Sequence, residues 1–135
     1  MIHIIIPVHN RFDYTKSCIE SLEKQIISEE LNVIVVDDGS TDNTKLFIKN
    51  YYPQIKVLEG NGNLFWGGAV HYGISYVRKI GKKNDWILLV NNDVEFAPNS
   101  LSELIKECNK KKRKIIAGSL TVNYNDRSTV IKSGT

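Results

Sequence analysis

Short apolar runs that end in polar or glycine-bearing clusters recur along the chain, and between them apolar residues return at helical spacing. Residues 3–8, HIIIPV, predict a buried first strand that closes where Pro7 cannot donate to a ladder. Residues 11–25 carry Tyr14, Cys18, Ile19 and Leu22 on one helical stripe, with Asp13 able to cap its start. A second buried strand is predicted over residues 32–36, NVIVV. The helix after it is capped by Thr41 or Asp42, has Leu46, Phe47, Ile48 and Tyr51 as its apolar side, and ends before Pro53. A third strand follows at residues 55–58. The glycine-rich passage 60–68, GNGNLFWGG, leads into a helix over residues 69–80 on the pattern Val70, Ile74, Val77. Residues 86–90, WILLV, suffice for a fully buried strand and run without a turn signal into Asn91, Asn92, Asp93 and Glu95. Pro98 then suits a first helical position, before a stripe of Leu101, Leu104, Ile105 and Cys108. Residues 114–120 read as a last clear strand, and the polar remainder offers one more candidate at 129–131. This alternation predicts one α/β domain, a mostly parallel sheet sandwiched by helices and joined by right-handed crossovers.

Composition changes little in that picture. At 135 residues the chain can build a core without disulfides or a structural metal. Cys18 and Cys108 lie far apart in predicted helices, without the paired spacing of a zinc site, and read as reduced, half-buried thiols of a cytosolic chain. The first strand is interrupted by His3 and Pro7 and followed by no small-residue cleavage site, which argues against a signal peptide. No run approaches the ~20 apolar residues of a membrane span, and a net charge of +3 is too mild to argue for nucleic acid.

In an open α/β sheet the ligand crevice lies outside the carboxyl ends of the strands. Four loops fall there, at residues 7–10, 37–40, 60–68 and 91–95. Asp37 and Asp38 could accept from a base N–H or from ribose hydroxyls; alternatively, Asp38-Gly39-Ser40 is a turn leading to a helix cap. His9 could stack beside a base or stand solvated. Gly67 and Gly68 at a helix start could present amides to an anion; alternatively Phe65 and Trp66 fold back on the core, although Trp66 can wall a pocket as easily as fill a core. On extended backbone Asp93 and Glu95 would share a face, and two carboxylates with amide oxygens suit a hard divalent cation. The bland alternative is an Asn-Asn-Asp turn that ends a strand. A dinucleotide-binding GxGxxG would have to follow the first strand, where Pro7-Val8-His9-Asn10-Arg11 holds no glycine, and a Walker A loop is absent.

Together, IIIPVHNR, VVDDGSTDNT, GNGNLFWGGAVHYGI and LLVNNDVEF resemble the family 2 glycosyltransferases of the GT-A fold, most closely their rhamnosyltransferase-like branch, over residues 2–120. The resemblance implies a nucleotide-diphospho-sugar donor (UDP- or dTDP-sugar) and a saccharide or lipid-linked acceptor of cell-envelope polysaccharide synthesis. It also implies inverting displacement assisted by Mg2+ or Mn2+. By the same resemblance Pro7 and His9 line the nucleoside pocket, and Asp38, with Asp37 beside it, holds the base. Residues 63–68, Asn63, Trp66, Gly67 and Gly68 among them, lie near the nucleotide, and Asp93 holds the metal. The strand-end loops themselves add Asn10, Asn91 and Asn92 to the expected nucleotide site and Glu95 to the metal's.

Asn91 stands where the family often has aspartate, so this site is less charged. The family's general base lies beyond this segment; Asp126, the only late carboxylate, has no context that recommends it, and the catalytic base stays unassigned. The chain is therefore expected to be the N-terminal donor-binding part of a longer enzyme. Two other readings stay open. One is a catalytically silent nucleotide-sugar-binding module; the other is a nucleotidyltransferase, whose glycine-rich basic first loop is represented here by Arg11 alone. The basic run 110–114, KKKRK, suits a helix C-terminus or contact with the anionic inner face of a membrane. Without interleaved aromatics it does not suggest nucleic acid.

Overall fold

A computed structural model describes residues 1–111, 115–119, 121–126 and 128–132. The elements in order are β1 (Ile2–Val8), α1 (Phe12–Glu23), β2 (Leu31–Asp37), α2 (Thr44–Tyr51), β3 (Lys56–Glu59), α3 (Phe65–Ile80), β4 (Trp86–Leu89), α4 (Ser100–Asn109), β5 (Thr121–Val122) and β6 (Val130–Lys132). The first four strands form one parallel sheet in the order β3-β2-β1-β4, and β5 and β6 form a separate antiparallel pair.

Side chains alternate across a strand, and here each face of the sheet meets different helices. Ile2, Ile4, Ile6 and Val8 point toward Cys18, Ile19 and Leu22 of α1, Phe47 and Ile48 of α2, and Leu101 and Ile105 of α4. Ile5, Ile34, Val36 and Leu58 point the other way, to Ala69 and Val77 of α3. The chain winds from β1 outward through β2 to β3, then returns by α3 on the opposite face to place β4 on the other side of β1. The strand order therefore reverses between β1 and β4, the point at which such sheets open a crevice at their carboxyl ends.

Several expectations are corrected by this packing. Strand β4 is not fully buried: α3 lies over β1 and β2, so Ile87 and Leu89 on its α3 side stay exposed. Tyr14, Leu46 and Tyr51 face outward rather than into the core, whereas both cysteines are fully buried, not half-buried. Residues 115–119 form no strand; Lys114 and Leu120 lie outside the described residues, and pairing begins instead at Thr121. Helix α4 starts at Ser100, with Pro98 in the preceding turn, where its carbonyl accepts the Ile26 amide at 2.8 Å. Of the basic run, residues 112–114 lie outside the described residues, and Lys110 is paired with Glu107.

At the amino end of the sheet His3 is buried between Asn32 (Nδ1 to Nδ2, 2.9 Å) and Asp85 (Nε2 to Oδ2, 3.1 Å). An imidazole protonated at Nε2 accepts from the first and donates to the second. Asp85 also accepts the Lys82 amide at 2.7 Å, and that bond, followed by the one from His3, holds its carboxyl below the ordinary value. Stability linked to Asp85 is thus present above about pH 4 and is lost as pH falls through the lowered value. Asp85→Asn should flatten the acid limb of a stability-versus-pH curve followed by urea unfolding, and a limb unchanged by the substitution would contradict this assignment.

Helix α3 seats on the sheet through Gly73, where a Cβ would stand 2.5 Å from Ile5 Cγ2 and 3.3 Å from Val36 Cγ2. Gly73→Ala should therefore cost about 1–3 kcal/mol by overpacking, despite alanine's better helix propensity, with an unchanged urea m value. A stabilised variant would show that the helix stands further off.

Candidate functional site

Three carboxylates at and after the end of β2 hold the surrounding loops. Asp37 Oδ1 accepts the Ser40 amide at 2.9 Å and turns the chain. Asp38 reaches across to the passage before α3: Oδ1 accepts Gly62 N at 2.7 Å, and Oδ2 accepts Leu64 N at 2.8 Å and Phe65 N at 3.0 Å. Asp42 bridges two helix starts, with Oδ2 on Phe12 N and Oδ1 on Thr44 N. Burial pushes the Asp42 carboxyl up, but hydrogen bonds from Thr44 and Phe12 outweigh it, and the net displacement is downward.

These contacts explain why α3 begins at Phe65 and not at Ala69. A carboxylate from another strand satisfies its first amides, and it holds Phe65 at φ 52, a left-handed backbone rare for a bulky residue. Phe65 is 78% exposed and Trp66 57% exposed, so neither folds back on the core. The Gly68 amide is taken by Leu64 O at 3.0 Å, which removes it from the expected anion donors; the Trp66 and Gly67 amides have no partner among the described residues.

The β1–α1 loop is bolted to the β2–α2 loop. His9 Nδ1 donates to Asp38 O at 2.6 Å, Asn10 N donates to Ser40 Oγ, and Asn10 Oδ1 accepts from Thr41 N and Oγ1. Asn10 and Arg11 are consecutive left-handed residues, at φ 57 and φ 64. After β4 the chain turns at once, Val94 N donating to Asn91 O at 3.3 Å. Asp93 therefore sits in a turn, and the extended backbone that would align it with Glu95 is not present. Asn92 is buried and donates to Thr15 Oγ1, while Asn91 Oδ1 accepts Trp66 Nε1 at 2.9 Å.

Between these loops lies a cleft of about 300 Å³ lined by Pro7, Val8, His9, Arg11, Asp38, Gly62, Phe65, Trp66, Ala69 and Asn92. Of the residues singled out from sequence it gathers Pro7, His9, Asp38, Trp66 and Asn92. Asn10, Asp37, Asn63, Gly67, Gly68 and Asn91 do not line it; Asn10 and Asp37 act on the loops, and Asn91 steadies Trp66. Phe65, inside the 63–68 passage expected near the nucleotide, lines it too; Arg11 lines it unforeseen, and the signal that could have found it is an Asn-Arg pair lying in a strand-end loop. A second hollow, about 360 Å³, opens at the opposite end of the sheet beside Met1, Glu30 and Ile55 and contains none of these residues.

Asp93 and Glu95 are exposed, and Asp93 reaches the cleft through Arg11, which lines it. Burial first, then the charges of Asp93 and Glu95, push the Cys18 thiol up to about 12, so it is inert near neutrality. Among the described residues no three His, Cys, Asp or Glu side chains converge on one point. An exposed carboxylate next to a cleft fits a hard cation that takes one or two protein ligands and completes its shell with substrate phosphate and water. Among the described residues Asp38 is the only carboxylate lining the cleft, and three backbone donors engage it. Asp126 accepts from Ser128 and Thr129, which hold its carboxyl low and make it a poor base.

A model of glycosyl transferase family 2 matches residues 3–133. An uncharacterized glycosyltransferase of Mycoplasma genitalium is 32% identical over 118 residues, covering 81% of this chain and 37% of that protein. The N-acetylglucosaminyl-diphospho-decaprenol L-rhamnosyltransferase of Mycobacterium tuberculosis is 29% identical over 96 residues, 67% of this chain and 30% of that one. This chain thus spans about a third of the length of each. Among solved structures, the mannosyltransferase PcManGT of Pyrobaculum calidifontis, in complex with GDP-Man and Mn2+, superposes with a TM-score of 0.74 at 17% identity over 94% of this chain and 37% of its own. S. aureus TarS superposes with a TM-score of 0.64 at 26% identity, over 81% of this chain and 19% of its own.

Asp38→Ala should cost about 3 kcal/mol, since a buried carboxylate serving three amides is lost and those amides stay behind. Urea unfolding measures this, and a cost under about 1 kcal/mol would mean that the passage before α3 holds its shape without Asp38.

Proposed function

The chain belongs to glycosyl transferase family 2 and has the GT-A type of α/β fold, and from that premise we propose that it forms the donor side of a sugar transfer. A nucleotide-diphospho-sugar lies in the cleft at the reversal point between β1 and β4. The observation that carries this reading is the cleft itself: a hollow at the carboxyl ends of the strands, walled by two exposed aromatics and floored by the amino end of α3.

In this reading Phe65 and Trp66 offer flat apolar faces to the nucleoside or the sugar. The free amides of Trp66 and Gly67, at the positive end of a sixteen-residue helix, favour the diphosphate. Asp38 acts chiefly through the loop that it shapes, and one lone pair of Oδ1 remains for a base N–H. Asp93, with Glu95 nearby, would hold Mg2+ or Mn2+, which when bound neutralises charge on the departing nucleoside diphosphate. Retention of a metal complex by PcManGT and the lipid-linked substrate in the name of the mycobacterial relative support a cation and an envelope acceptor for this chain too. Among the described residues no helix is long and apolar enough to cross a membrane.

The acceptor hydroxyl needs a base. Among the described residues the one carboxylate lining the cleft is already engaged, so we assign the base to a part of the protein outside them. The same observation favours a second reading, a binding module that transfers nothing.

Calorimetric titration with UDP, dTDP and GDP, in Mn2+ and in chelator, should show metal-dependent binding of at least one, weakened tenfold or more by Asp93→Ala. Failure of all three nucleotides in Mn2+ would overturn the donor-site reading. Turnover by a longer chain that includes this one would exclude the silent module.

A further inference from the structure

Arg11 is the one arginine or lysine among the described residues that line the cleft, and the fold spends strain to put it there. It follows a left-handed Asn10 and is itself left-handed, a conformation that asparagine adopts readily but that an arginine keeps only where the surroundings over-determine it. They do so here. Asn10 is clamped to Ser40 and Thr41, Phe12 N is held by Asp42, and Arg11 O accepts from Thr15 N and Oγ1. Thr15 Oγ1 in turn accepts from the buried Asn92, the neighbour of Asp93. The backbones of Arg11 and Asp93 are therefore tied together through a buried link, and only the two side chains are free to move.

Those side chains are paired. Arg11 Nη1 stands 3.5 Å from Asp93 Oδ2, with 55% and 41% of the two side chains exposed, and the guanidinium lies over the Tyr14 ring at 4.9 Å. An ion pair this wet is weak, so a divalent cation can take the carboxylate from it. The released guanidinium stays tethered at the mouth of the cleft, and its planar fork matches phosphate oxygens two at a time.

Resting on the donor-site reading above, we propose that Arg11 is an exchange residue. In the empty protein it neutralises Asp93 and competes with the metal; in the loaded protein it pairs with the donor's diphosphate. It touches no reacting atom, and its role is to position the diphosphate and to make metal and donor bind together.

The exchange predicts effects of opposite sign in one variant. Arg11→Gln should bind Mn2+ alone about two- to fivefold more tightly, by removing a competitor worth no more than an exposed ion pair. It should bind manganese pyrophosphate about tenfold more weakly, by losing a charge-assisted contact. Arg11→Lys keeps the charge without the fork and should stay near the parent for Mn2+ while recovering only part of the pyrophosphate affinity. Electron paramagnetic resonance of free Mn2+ and calorimetry read the two constants, with no activity needed, and pyrophosphate removes any dependence on the base. Asp93→Ala separates the failures. If it leaves Mn2+ binding intact, Asp93 is no ligand and the exchange falls, while the donor-site reading is decided separately by whether the nucleotides bind. If it abolishes Mn2+ binding while Arg11→Gln shifts both affinities the same way or neither, the exchange alone is overturned.

Discussion

Everything at the carboxyl end of the sheet depends on one buried carboxylate meeting three backbone amides. Without Asp38 the amides of Gly62, Leu64 and Phe65 would face a half-buried loop with no acceptor, a cost that comes directly from desolvation. With it, α3 starts a full turn before its own apolar pattern begins, Phe65 is held in a left-handed conformation, and both aromatics stand beside the cleft. Asp37 and Asp42 repeat the device on adjoining loops. The acidic, hydroxyl-rich stretch after β2 is thus first a set of acceptors for the rest of the site.

That device also marks the boundary of what the sequence discloses. The parallel α/β order was legible because four β-branched or aliphatic runs alternate with helical stripes, a local signal. Helix starts were less so. Asp42, one of the two residues expected to cap α2, does take the Thr44 amide, yet the Phe12 and Phe65 amides are served by Asp42 and Asp38 from tens of residues away. No window of neighbouring residues contains that information. The same holds for Ile87 and Leu89, whose exposure follows from where α3 lies over the sheet and not from their own hydrophobicity.

The site divides along the same line. Pro7, His9, Asp38, Trp66 and Asn92 were found because strand ends point to the crevice by topology alone. Asn10 and Asp37 stand at strand ends as well, but do not line the cleft, and Asn10 Oδ1 and Asp37 Oδ1 accept bonds that shape the loops. Asp93 and Glu95 were aligned on an assumed extended backbone, which the turn at Asn91 replaces. Arg11 escaped because its position depends on positive φ values, and those arise from clamps contributed by another loop.

The reversal of strand order beside β1 also bears on how the molecule assembles. Ile2 registers with Leu31 on one side, across a single helix, and with Trp86 on the other, after most of the described chain has been made. Loop-closure entropy rises with the length of chain enclosed, and distant pairings slow folding more than near ones. The half formed by β1, β2 and β3 can therefore consolidate early, while the pairing of β1 with β4 comes late. The cleft straddles that seam, so a chain able to hold a ligand there has already completed its slowest step.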